Sequence, residues 1–218
     1  VCPYGAINWQ KKEVATVIEA ACAGCGACGA TCTFGAITMR HFTDQQLIAQ
    51  VRATLAEDPE EKVFVFACNW CSYAGGDMAG ISRIQYPSTN RVVRTMCSAR
   101  VSEEMVLEAF RCGAPVVLVS GCHYADCHYI DANRQTVKRV QKLWNKLEKA
   151  GVRPERLQLE WISAAEGQKF AKVMGQMEEK RILVTPDEIA HAREALKPKK
   201  KKVRPAKKKP VAAKEATA

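Results

Sequence analysis

The sequence predicts an α/β protein: a parallel sheet with helices on both faces, a short cysteine-rich α+β region before it, and a basic tail after it. Three observations carry this. Short apolar runs alternate with helical stretches through the middle of the chain. Three of those runs stop at or beside a cysteine. Eleven cysteines occur in 218 residues, most of them in motifs, which fits metal binding in a reducing compartment better than a disulfide framework.

The elements follow in order. Thr43-x-x-Gln46 is a capping box, and it opens a helix with Leu47, Ile48, Val51 and Leu55 on one side. That helix, Thr43 to about Ala56, would be about 20 Å long and would join the cysteine-rich region to the sheet. Lys62–Ala67 reads as a strand ending at Cys68, and Arg91–Met96 as one ending at Cys97. Gly75-Gly76 should delay the helix between them. Ser102 caps a helix carrying Met105, Val106 and Phe110, with Gly113 past its end. Pro115–Ser120 is a third strand, ending at Gly121-Cys122. Val137, Val140, Leu143, Trp144 and Leu147 mark a long helix. Arg156–Ile162 is a fourth strand. Ser163-x-x-Glu166 caps a helix with Phe170, Val173, Met174 and Met177, and Thr185-Pro186-Asp187-Glu188 opens the last helix. Continuous apolar strands separated by helices mean a parallel sheet buried on both faces.

Ahead of these elements stand Cys22, Cys25, Cys28 and Cys32, spaced C-x2-C-x2-C-x3-C. This run binds cubane iron–sulfur clusters in bacterial-type ferredoxins, and its fourth cysteine serves the other of two clusters. Cys2-Pro3 reads as the tail of an earlier run. Cys2 would then join Cys22, Cys25 and Cys28 around one [4Fe–4S] cube, while Cys32 joins three cysteines upstream of Val1. On this reading the chain is the C-terminal part of a longer protein. CPYGAIN at Cys2 and CTFGAIT at Cys32 form an internal repeat, with Thr33 where proline is usual. A zinc site would prefer two C-x2-C pairs across a longer loop. Residues 1–42 are thus read as a partial bacterial-type ferredoxin, 43–60 as a connecting helix and linker, 61–196 as the parallel-sheet domain and 197–218 as a disordered tail.

The net charge of +10 belongs to that tail. Ten Lys/Arg and one Glu fall within Lys197–Ala218, which leaves +1 for the body. The tail lacks an apolar face and interleaved aromatic residues, so it reads as solubilising rather than nucleic-acid-binding. No run of 18 apolar residues predicts a membrane helix.

Parallel strands end on the same side, so Cys68, Cys97 and Cys122 should gather at the carboxyl edge of the sheet, with Cys71 and Cys127 close by. Four thiolates hold a [2Fe–2S] centre or a zinc ion. Cys68 and Cys71, in CNWC, could instead be a thiol–disulfide pair. His123 and His128 do not have Rieske spacing and read as loop residues. Tyr124 and Tyr129 are expected to pack around the site, Trp70 to shield it, and Cys112 to be a buried structural thiol.

The blocks VFACNWCSYAGGDMAG, RTMCSARV and GCHYADCHY resemble the small iron–sulfur (delta) subunit of the methyl-viologen-reducing, coenzyme-F420-non-reducing hydrogenase, over about Glu61 to Leu196. ACAGCGACGATCTFGAIT resembles the C-terminal ferredoxin of the flavin-binding subunit of heterodisulfide reductase. The resemblance implies a cytoplasmic electron-transfer part of an oxidoreductase complex, with one [2Fe–2S] cluster in the sheet domain. Its partners would be hydrogenase or formate dehydrogenase subunits, heterodisulfide reductase subunits, and an FAD-binding region upstream in the same chain. The family's five cysteines fall on Cys68, Cys71, Cys97, Cys122 and Cys127, with Cys68, Cys71, Cys97 and one of Cys122 and Cys127 favoured as ligands. No Ser/His/Asp set, Walker loop or GxGxxG is present, so no bond chemistry is expected here.

Overall fold

Few residues of the first region have apolar partners, and its regular structure is correspondingly short. In the computed structural model, which describes residues 1–11 and 13–198, β1 (Ile7–Asn8) and β2 (Thr16–Val17) form a two-residue antiparallel ladder. A five-residue helix, α1 (Ala27–Thr31), lies inside the cysteine run. The repeated CxxGAI segments fold alike. Gly5 and Gly35 have φ of 62° and 66°, and each donates its N–H to the carbonyl of the cysteine three residues before it, at 3.3 Å in both cases.

The sheet domain begins with α2 (Asp44–Thr54), whose capping box forms as the sequence predicts. Gln46 N donates to Thr43 Oγ1 and Thr43 N donates to Gln46 Oε1. Then come β3 (Val63–Cys68), α3 (Ser72–Ile81), β4 (Asn90–Thr95), α4 (Glu103–Arg111), β5 (Val116–Gly121), α5 (Asn133–Lys149), β6 (Leu157–Trp161), α6 (Gly167–Ile182) and α7 (Pro186–Ala195). The sheet is parallel throughout, in the order β4-β3-β5-β6. β3 and β5 are buried at every position, as apolar runs at the centre of a doubly covered sheet must be. Their alternation feeds two cores. Phe64, Phe66, Val117 and Val119 pack with residues of α2, α4, α5 and α7, while Val63, Val65, Val116 and Leu118 meet α3 and α6. At about 25 cal/mol per Å² of apolar surface, these two layers are the main source of stability. Glu108, on α4, accepts from Arg52 of α2 at 2.6 Å and from Arg111 at 2.7 Å, tying two helices of one layer together.

Three local expectations are corrected. α3 starts directly after Cys71, and Gly75 and Gly76 lie inside it instead of delaying it. Their reason is packing: a Cβ at Gly75 would sit 2.8 Å from the Ser163 carbonyl oxygen, and one at Gly76 would sit 3.0 Å from the Phe170 ring. Ser163 does not cap α6, which begins at Gly167; its N–H donates to Glu166 Oε2 at 2.7 Å, half of a capping box displaced by one turn. Cys112 is half-buried rather than buried, and burial pushes its thiol upward. The expected disordered tail lies, from residue 199 onward, outside the described residues. Among the described residues no helix is long and apolar enough to cross a membrane.

Candidate metal centre

Parallel strands deliver whatever follows them to one edge. Cys68 closes β3, Cys97 lies two residues past β4, and Cys122 follows β5 directly. Cys71 occupies the turn into α3, and Cys127 follows a short 3-10 turn, Tyr124–Asp126. All five thiols meet in one cluster with Ala99, Tyr129 and Ala132. Cys68, Cys97, Cys122 and Cys127 are buried and Cys71 is partly so.

The Sγ atoms of Cys68 and Cys122 stand 3.7 Å apart. A tetrahedral metal with bonds of about 2.3 Å to sulfur separates two ligand sulfurs by about 3.8 Å, so this pair fits two corners of one metal atom. Among the described residues no group of three or more His, Cys, Asp or Glu is arranged to close on a single ion.

The electrostatics suit a cationic centre. The Cys122 and Cys97 thiols, with the N–H groups of Trp70 and Cys71, favour the Cys68 thiolate and hold it down against burial. Cys127 is favoured likewise by Cys122 and Cys97 and by the N–H groups of Asn133 and Tyr129. The donors Cys97 and Cys122 are pushed up, first by Cys127 and Cys68. Charge on one thiol disfavours charge on its neighbour, so full deprotonation of the set requires a positive centre among them.

A second layer fixes the edge. Ala99 N donates to Cys97 Sγ at 3.4 Å, and Asn133 Nδ2 donates to the carbonyls of Cys122 and His123, both at 3.1 Å. Trp70 stacks on His128 with centroids 3.7 Å apart and donates to the Tyr129 hydroxyl at 2.9 Å. Tyr129, which it meets, packs among the thiols. Tyr124 does not. It is 50% exposed and lies edge-on to Trp161. His123 is bonded to Glu166 at 2.7 Å, so each histidine is engaged away from the sulfurs.

In the first region, Cys2, Cys22, Cys25 and Cys28 line one cavity of about 690 Å³ together with Tyr4 and Met39. Cys32 does not line it. Its thiol is drawn down by the N–H groups of Ala36 and Phe34, with Ala36 N at 3.3 Å. Burial pushes Cys25 and Cys28 up, and the N–H groups of Ala27 and Gly29 oppose this. The sequence separates the two cysteine sets by a helix, yet the fold brings them together. Cys25 and Ala27 belong to the same buried cluster as Cys68, Cys97 and Cys127, and Tyr4 packs against it.

Sequence reasoning missed the residues at this junction: Tyr4, Arg100, Asn133 and Arg139. An arginine three positions after Cys97 was the available signal for one of them. The others depend on contacts more than a hundred residues apart, such as Arg139 with Thr31, or on a turn made only in the fold.

A parallel α/β domain with five thiols converging on its carboxyl edge defines a cysteine-liganded metal or redox protein. The model of the methyl-viologen-reducing hydrogenase delta subunit family matches residues 63–182, and the chain belongs to that family. A ferredoxin:CoB-CoM heterodisulfide reductase subunit from Methanosarcina mazei is 49% identical over 140 residues, covering 64% of this chain and 18% of that protein. A ferredoxin/F(420)H(2)-dependent CoB-CoM heterodisulfide reductase subunit from Methanosarcina acetivorans is 44% identical over 185 residues, covering 71% of this chain and 23% of that protein. The vhc F420-non-reducing hydrogenase iron-sulfur subunit of Methanococcus voltae is 44% identical over 126 residues, covering 58% of this chain and 88% of that protein. The chain thus spans less than a quarter of the heterodisulfide reductase relatives and most of the hydrogenase one.

Proposed function

We propose that this chain is the electron-transfer part of an oxidoreductase complex of the hydrogenase and heterodisulfide reductase type. The observation that carries the reading is that Cys25 of the first set lies in the same buried cluster as the thiols of the sheet edge. Relatives named as heterodisulfide reductase subunits or as a hydrogenase iron-sulfur subunit support the same system. Cys68, Cys71, Cys97 and one of Cys122 and Cys127 supply the four ligands of a [2Fe–2S] centre, and Cys2, Cys22, Cys25 and Cys28 those of a [4Fe–4S] centre, with Cys32 left to a second cubane. When bound, such centres supply one-electron redox chemistry without bond making.

The protein's own groups hold and tune them. Backbone N–H groups directed at Cys32, Cys68, Cys97 and Cys127 stabilise negative sulfur. Trp70, His128 and Tyr129 restrict water at the sheet edge. Electrons would enter from hydrogenase or formate dehydrogenase subunits and leave toward an FAD-binding region. A single zinc ion would also match the Cys68–Cys122 spacing, but the wider set does not close on one ion.

Anaerobic reconstitution with iron and sulfide, metal analysis and EPR of the dithionite-reduced protein test this. The expected result is a rhombic signal persisting to high temperature beside a fast-relaxing cubane signal. Zinc at the sheet edge, or no cluster at all, would overturn the relay.

A further inference from the structure

The contact between the two cysteine sets is built on two guanidinium groups, one buried and one half-buried. Arg100 is 2% exposed, though it carries a full charge. It follows Cys97 by three residues, on the 3-10 turn Ser98–Arg100. Its Nε and Nη2 donate to the Phe42 carbonyl at 3.1 and 2.8 Å, and Nη2 also reaches Asp44. Its Nη1 is buried with no partner among the described residues. The aliphatic part of the side chain lies on the cysteine run itself. A Cβ at Gly26 would sit 2.3 Å from Arg100 Cδ, and Gly26 has φ of 79°. Gly26 therefore has to be a glycine on two counts, backbone conformation and the passage of Arg100 between the two regions.

Arg139 completes the arrangement from α5. Its Nη1 donates to the carbonyls of Ala99 and Val101 at 3.1 and 2.9 Å, and its Nη2 donates to Thr31 Oγ1, next to Cys32, at 3.0 Å. Burial, with Arg100 as the second cause, pulls Arg139 down to about 10, and the Cys97 sulfur pulls the other way. Arg139 therefore remains a cation at neutral pH. Among the described residues, the one carboxylate bonded to either is Asp44, which is half-exposed. A buried and a half-buried cation against one wet anion leave positive charge in excess at the contact, and buried charge persists only where opposite charge or hydrogen bonds repay its desolvation.

We propose that Arg100 and Arg139 form an electrostatic junction between the two cysteine sets, with Arg100 as a positioning and charge-setting residue that favours the more negative, reduced state of the centres on either side. The proposal rests on the iron–sulfur reading above. Each thiolate-bound cluster gains one negative charge on reduction, and a fixed cation in a low-dielectric contact lowers the energy of that charge. The same side chain anchors the first region through Phe42 and Gly26, so docking and tuning share one residue.

Potentiometric EPR titration of the reconstituted full chain, with dithionite as reductant, tests this on four variants. Arg100→Gln removes charge and is expected to disfavour reduction of at least one centre about tenfold, a fall of about 59 mV for one electron. Arg139→Gln shifts it in the same direction. Arg100→Lys keeps the charge and stays near the wild-type potential. Asp44→Asn removes the counter-anion and raises the potential, an opposite sign that loosening the structure does not produce. It also keeps the test alive if Arg100→Gln does not fold. Equal shifts for Arg100→Gln and Arg100→Lys, or an Asp44→Asn shift that is absent or negative, would overturn the junction. Clusters that assemble but ignore these charges defeat this inference alone. A wild-type chain that assembles no cluster defeats it together with the relay.

Discussion

The two cysteine-bearing regions reach similar chemistry by opposite routes. At the sheet edge, five thiols hang from strands and turns whose positions are set by two apolar layers, so the site is held by a core that owes nothing to the sulfurs. In the first region the thiols are most of what there is to hold. Val14 and Phe34 are 89% and 93% exposed, the ladder is two residues long, and the buried apolar residues are Ala6, Cys25 and Ala27. A site on a rigid sheet can be built before its metal arrives, whereas a site on turns gains its order from the metal and from docking.

Metal removal should break this symmetry most visibly. Chelation of a reconstituted chain is expected to abolish amide protection in residues 1–42 while β3 and β5 stay protected, read by hydrogen exchange. Equal loss in both regions would mean that the sheet also depends on metal. Single cysteine changes sharpen the same contrast. Cys25→Ser should eliminate the cubane signal and leave the second centre and the thermal transition of the sheet domain intact. Loss of both signals would tie the two regions into one assembly unit.

A packing change addresses the sheet side alone. Gly75→Ala inserts a methyl group against the Ser163 carbonyl where α3 crosses the chain leading into α6. Overpacking of this kind costs about 1–3 kcal/mol. Denaturant unfolding followed by Trp fluorescence should show it, with cubane EPR unchanged. An unaffected midpoint would show that α3 gives way easily there.

How much of this is legible from sequence follows the same division. The strands can be placed to within about a residue because β3 and β5 are apolar at every position and end at cysteines. The caps at Thr43 and Thr185 are readable because both halves of each box lie within four residues. Gly75 and Gly76 mislead because their role is interhelical clearance, which a glycine in a helical window does not reveal. Gly167, where α6 starts, is likewise a close-contact glycine, since a Cβ there would sit 2.7 Å from the Ala79 backbone. The approach of the first region to the sheet edge is least legible of all. It depends on Arg100 reaching Phe42 and Arg139 reaching Thr31, polar contacts that leave no periodicity in the sequence.

The smallest expected effect concerns acid. Burial pushes the Glu108 carboxyl up, but Arg52 and Arg111 more than offset this and hold it below its usual value. Arg181 and Thr89 do the same for Glu178. A carboxylate whose folded value is depressed contributes stability above its unfolded value of about 4.3, and that contribution is lost as pH falls through the lower folded value. Both glutamates belong to helices of the sheet domain, so the acid loss should appear there, as a decline in the denaturation midpoint below about pH 4. Glu108→Gln should lower stability at neutral pH and flatten the acid decline, because the group that titrates has gone. An unchanged slope in that variant would mean that Glu108 spans α2 and α4 without contributing to the pH dependence.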